Sequence, residues 1–152
     1  MEEKPMLFGL SKITQKSSFL NSLDLLEIDI DDFDVDQISI SKSYKLSFSH
    51  EDERFTIETA IDFIYPKNGK VDSHLFGVTV EVEFHLKNFE DIITWVDKTT
   101  IDAPDDLLIN LISITYSTAR GILYVLTANS DYEEIYLPLT DPGEFRDTLL
   151  KK

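Results

Sequence analysis

The sequence predicts an α+β fold: a four-stranded antiparallel β-sheet, then a long helix and a short C-terminal helix, in one domain spanning residues 1–152. Two observations carry this. Alternation of apolar and polar residues dominates the first half, and the period lengthens to a helical one after residue 102. Alternation places successive side chains on opposite faces of a strand, whereas a 3.6-residue period places them along one side of a helix.

Three runs alternate. In QISISKSYKLSFS the apolar positions are Ile38, Ile40, Tyr44, Leu46 and Phe48. In RFTIETAIDFIY they are Phe55, Ile57, Ile61, Phe63 and Tyr65, and in HLFGVTVEVEFHL they are Phe76, Val78, Val80, Val82, Phe84 and Leu86. Each run has one apolar and one polar face, the pattern of an antiparallel sheet covered on one side. The connections SHEDER (49–54) and PKNGKVDS (66–73) are polar and short enough for hairpins. An earlier strand is expected within residues 7–19. In LEIDIDDFDVD the parity shifts between Ile30 and Phe33, so a bulge or break is expected there.

The second half opens on Asp102-Ala103-Pro104-Asp105-Asp106, a helix start with Pro near the first turn and acids at the positive end of the helix dipole. From Leu107 to about Ala128 the apolar residues run most of the way round the helix, which implies burial on more than one side. Ser113, Ser117 and Gly121 form a stripe of small residues at i, i+4 and i+8. Such a stripe admits close approach of either the chain's own sheet or another helix. Asp141, Pro142 and Glu144 then form a capping-box start, and Phe145 with Leu149 anchors a short final helix.

With 14 basic and 29 acidic residues the net charge is −15, which repels phosphate backbones and anionic membranes and favours basic or mixed-charge protein partners. No window approaches ~18 uninterrupted apolar residues, so no membrane insertion is expected. The absence of cysteine excludes disulfides, thiol catalysis and cysteine-held zinc. The stretch MEEKPMLFGLSK has acids where a signal peptide needs positive charge, so a cytoplasmic location is expected.

Residues for catalysis are missing. His50, His74 and His85 share no metal-ligand spacing. The run Asp29, Asp31, Asp32, Asp34, Asp36 mimics the start of a calcium loop from Asp32, but Gln37 stands where the loop needs Gly and Ser43 where it needs Glu. Glu81 and Glu83 share a strand face as solvent-facing acids do. There is no nucleophile elbow or phosphate-cradling loop, and the five glycines are too few for one. A non-enzyme without metal or cofactor is expected.

The last fifty residues carry a resemblance. A long helix with Tyr116, Ala119 and Arg120, then Leu137-Pro138-Leu139, then Asp141 and Phe145 opening a short helix, resembles the protein-export chaperone SecB and its SecB-like relatives. The resemblance implies a homodimer or homotetramer built through strands and long helices. It also implies ATP-independent binding of unfolded or nascent polypeptides in apolar grooves. The candidate client-binding residues are Ile38, Ile40, Tyr44, Leu46 and Phe48 with Phe89 and Trp95, and the candidate oligomer or helix-packing residues are Ser113, Tyr116, Ser117, Arg120 and Gly121. One departure stands out: Ser17, Asn21 and Gly77 occupy positions where the family carries acids that dock a translocase motor. General export and dedication to one client, such as an antitoxin, both stay open. So does a non-catalytic module of the same fold binding one folded partner, such as a toxin or phage-related protein. A small enzyme or ligand-binding α+β domain using a cavity between sheet and helix is the third alternative.

Overall fold

The alternating runs become long strands. The computed structural model describes residues 5, 7–49, 51–67, 70–97, 100–141 and 143–146; His50, Pro142 and Leu149 lie outside them. Strands β1 (Phe8–Leu20), β2 (Ser39–Ser49), β3 (Arg54–Tyr65) and β4 (Ser73–Leu86) form one antiparallel sheet in the order β1-β4-β3-β2. Hairpins join β2, β3 and β4, while residues 21–38 carry the chain from one edge of the sheet to the other, a Greek-key path.

That crossing contains the expected break. Asp29 Oδ1 accepts from the Asp31 amide at 3.0 Å, and Asp34 Oδ1 from the Asp36 amide at 3.0 Å. Asp34 thereby caps a 3₁₀ turn at Val35–Gln37. These aspartates shape turns. Among the described residues no group of three or more His, Asp or Glu could hold a metal ion.

One face of the sheet is the core wall. Ile57 lies opposite Val82 and Ile61 opposite Val78, all buried. Helix α2 (Asp105–Thr127) lies across β4 and β3 and buries Leu107, Leu111, Ile112, Ala119 and Leu123. Each large apolar side chain so covered contributes roughly 1.5–3 kcal/mol. Pro104 stands at the N-cap, with Asp105 and Asp106 in the first turn. Beyond α2, Tyr132 is fully buried and donates its hydroxyl to the Asn21 carbonyl at 2.5 Å.

Burial pushes the Tyr132 phenol up to about 12 from its ordinary 10.0, with Asp131 adding to the shift. In the unfolded chain the phenol ionises near its ordinary value, so between the two the unfolded state binds fewer protons than the folded one. This group's contribution to stability is therefore constant below pH ~10 and falls as pH rises toward ~12. Denaturation from pH 9 to 12 is expected to show this slope, and Tyr132→Phe to reduce it. An unchanged slope in the variant would contradict the assignment.

The other face is polar and tied together by ion pairs. Lys16 bridges Glu58 at 2.6 Å and Glu81 at 3.2 Å, from a register shift between Gln15 and Ser17 that bulges it out of β1. This lysine holds the Glu58 carboxyl below its usual range. Arg54 pairs with Glu83 at 3.6 Å, and His74 Nδ1 lies 2.6 Å from Asp62. Glu81 and Glu83 thus each face a cation. Gly77 is required on this side: a Cβ there would lie 2.5 Å from the Ile61 carbonyl oxygen and 2.7 Å from the Phe19 ring.

Between β4 and α2 the chain makes a one-turn helix α1 (Phe89–Ile92) and a small hairpin, β5 (Thr94–Trp95) with β6 (Ile101–Asp102). Residues 143–146 form the short terminal helix α3. Asp141 caps its start, the Gly143 amide donating to Asp141 Oδ1 at 2.9 Å. Among the described residues no helix is long and apolar enough to cross a membrane.

Candidate functional site

Three surfaces are built around α2. The first joins the residues that carried the family resemblance. Tyr116 donates its hydroxyl to the Pro138 carbonyl at 2.6 Å, and Arg120 Nε donates to the Leu137 carbonyl at 3.0 Å. Together these two side chains strap residues 137 and 138 to the helix, satisfying carbonyls that have no ladder to join. Phe145 meets Tyr116 edge-on at 5.8 Å and Tyr44 at 5.6 Å, while the Lys42 ammonium lies 5.3 Å from the Tyr116 ring. Ala119 is fully buried toward the sheet.

The second surface is the inner face of β2. Because α2 covers β4 and β3, the candidate residues Ile38, Ile40, Tyr44, Leu46 and Phe48 are only half-buried. One end of this face is covered by an aromatic corner. Phe48 stacks on Phe89 at 5.0 Å, touches Phe55 at 4.9 Å, and meets Trp95 edge-on at 6.1 Å. Phe89 is buried, while Trp95 is 37% exposed and its neighbour Val96 66%. Near the middle, Phe145 closes over Tyr44. A cavity of about 250 Å³ remains there, lined by Lys42, Ser43, Tyr44, Thr140, Glu144 and Phe145. The Tyr44 and Thr140 hydroxyls are buried in it without a hydrogen-bond partner. Burial pushes the Tyr44 phenol up, with Tyr116 and Glu144 adding to the effect.

The third surface is the outward side of α2. Asn110, Ser117, Gly121, Tyr124 and Val125 are exposed there. Between Leu107 and Ser130 the only charged residue is Arg120, and it turns to the strap. The small-residue stripe therefore leaves its own sheet uncontacted at Gly121, where a Cβ would meet nothing within 4 Å. Ser113 is half-buried, and Ser117 folds its hydroxyl back onto the Ser113 carbonyl at 2.9 Å. A groove of about 270 Å³ runs between Ser117, Gly121 and the strap at Ile135–Leu137. Tyr124 and Tyr136 stack at its rim, 6.2 Å apart, 62% and 59% exposed. On the other flank, a cleft of about 490 Å³ separates Gln15 of β1 from Gly121, Ile122 and Val125.

The candidate residues thus fall into separate places. Ser117 and Gly121 face outward, whereas Tyr116 and Arg120 hold the chain's own strap. Sequence reasoning missed Tyr124, Val125 and Tyr136, exposed on or beside the outward face, and Leu10 and Ile13, exposed on the inner face of β1. A signal was present: residues 4–23 contain no acid and residues 107–130 contain one charge, in a chain of net charge −15.

No family model and no curated protein matches the chain. Among solved structures it is similar to a crystal structure of a protein of unknown function from Streptococcus agalactiae, at 10% identity and a TM-score of 0.37, over 90% of this chain and 100% of that one.

Proposed function

We propose that this chain is an ATP-independent, SecB-like chaperone that holds non-native polypeptides on apolar surface and works as a homodimer or homotetramer. The observation that carries the reading is a contrast of charge. A chain of net charge −15 leaves the outward side of α2 without an exposed charge from Leu107 onward, exposes Tyr124 and Val125 on it, and leaves Leu10 and Ile13 exposed on the inner face of β1. Apolar surface of that kind on a charged protein marks a docking place. The outward helix face suits a second copy, since two such faces meet without bringing like charges together.

The inner face of β2 and the aromatic corner suit the client. Half-buried aromatics supply contact area, and exposed Trp95 stands where an unfolded segment would meet the protein first. The acidic exterior favours basic client segments and keeps assemblies apart. Docking to a translocase motor is left out of the reading, because Ser17, Asn21 and Gly77 stand at the acid positions and Gly77 lies beneath Phe19.

The test is suppression of turbidity of a reduced, aggregating protein without nucleotide, with the single tryptophan, Trp95, as native reporter. Near-stoichiometric suppression and a blue shift of its emission are expected. Trp95→Ala is expected to weaken client binding about tenfold, the scale of one aromatic anchor, while leaving Tm within a few degrees because the side chain is partly exposed. Unchanged turbidity together with unmoved tryptophan emission would overturn the reading.

A further inference from the structure

We propose that α3 competes with clients for the inner face of β2, so that the groove is self-occupied until a client displaces it. This rests on the chaperone reading and adds a regulatory element to it. The geometry divides the C-terminal segment in two. Residues 137 and 138 are clamped to α2 by Arg120 and Tyr116, whereas the chain beyond them runs outward through Leu139, which is 80% exposed. Residues 143–146 then return to the groove with one buried side chain, Phe145, and three exposed residues. Beside it, Arg146 reaches Asp106 at 3.1 Å, but both side chains are largely exposed, so the pair is weak.

The seat is also an imperfect fit. Phe145 fills the apolar part of the groove between Tyr44 and Tyr116 yet leaves the Tyr44 and Thr140 hydroxyls buried and unpartnered beside the 250 Å³ cavity. A buried hydroxyl without a partner disfavours the arrangement that buries it. An extended polypeptide entering the same place carries what the Phe145 ring lacks: backbone carbonyl and amide groups able to engage the Tyr44 hydroxyl, which stays on β2 when α3 leaves, alongside an apolar side chain. The clamp keeps α3 tethered near the groove, so its local concentration is high and a client competes with an intramolecular occupant.

The experiment measures binding of a fluorescein-labelled, reduced and carboxymethylated unfolded protein to the full chain, to Phe145→Ala and to Arg146→Glu. The apparent Kd equals the intrinsic value divided by the open fraction, so emptying the seat lowers it. Phe145→Ala is expected to tighten binding about five- to tenfold, and Arg146→Glu about twofold. Hydrogen exchange at residues 143–146 is expected to speed up when client is added to the wild type. Arg146→Glu alters only an exposed side chain, so it keeps the test valid if Phe145→Ala fails to fold. A wild type that binds client with no tightening in the folded variants, and no change in exchange, overturns the competition while leaving the chaperone reading standing. Absence of client binding by all three proteins overturns both.

Discussion

Gly121→Glu is expected to leave the fold standing and, if the chain works as the proposed homo-oligomer, to convert that oligomer into single chains. A Cβ at position 121 meets nothing within 4 Å and the position is exposed, so the substitution starts in open space. It also removes a glycine from the interior of a helix, which by itself stabilises by roughly 0.5–1 kcal/mol. Thermal stability of the subunit should therefore hold or rise. If the outward side of α2 is the contact between copies, a two-fold arrangement brings two carboxylates into one dehydrated seam. An unpaired buried charge costs about 3–5 kcal/mol, which weakens association by roughly two to four orders of magnitude. Light scattering of wild type and variant at equal concentration reads this directly. Gly121→Ala is the companion: it makes the same change in helix propensity without the charge. An unaltered mass for Gly121→Glu would place the contact elsewhere on the molecule.

The second large effect falls on stability. Phe76 is 1% exposed, stacks on Phe63 across the β3–β4 ladder at 4.2 Å and touches Tyr132 at 5.1 Å. It joins the sheet to the loop that follows α2. Truncating a buried aromatic removes its transfer free energy and leaves a cavity whose walls relax only in part, so Phe76→Ala should lose about 3–5 kcal/mol. Against a typical domain stability of ~5–15 kcal/mol this is a large share. The urea midpoint should drop sharply while the dependence on denaturant stays similar. A loss below ~1 kcal/mol would mean that the three-ring stack is not packed as described.

The sheet was legible because β2, β3 and β4 are each wet on one side only, so alternation survives along all three. The long helix was legible for the opposite reason: its apolar residues outnumber what one contact would need. The short hairpin β5–β6 and the one-turn α1 were not visible, since two to four residues are too few to display any period. The order β1-β4-β3-β2 was also beyond the sequence, because pairing partners far apart leave no local mark. Of the candidate site, Tyr44 and Phe48 were found through their parity, yet their half-burial depends on where α2 lies, which is a tertiary fact. Tyr116 and Arg120 stood out in the sequence as a motif. Their work as a clamp on residues 137 and 138 became visible only once the strap was placed beside the helix.

The path of the chain across the sheet has a consequence for synthesis. Phe8 pairs with Leu86, and Leu20 with Phe76, so the first strand to be made has no partner until the fourth has emerged. Strands β2, β3 and β4 can zip together by neighbouring hairpins, but β1 must close a far longer loop, a slow, entropically disfavoured step. During that wait its Leu10 and Ile13 are available to the open β4 edge of a sister chain as readily as to its own. Exchange of the first strand between newly made copies is therefore the expected misassembly when expression outruns folding.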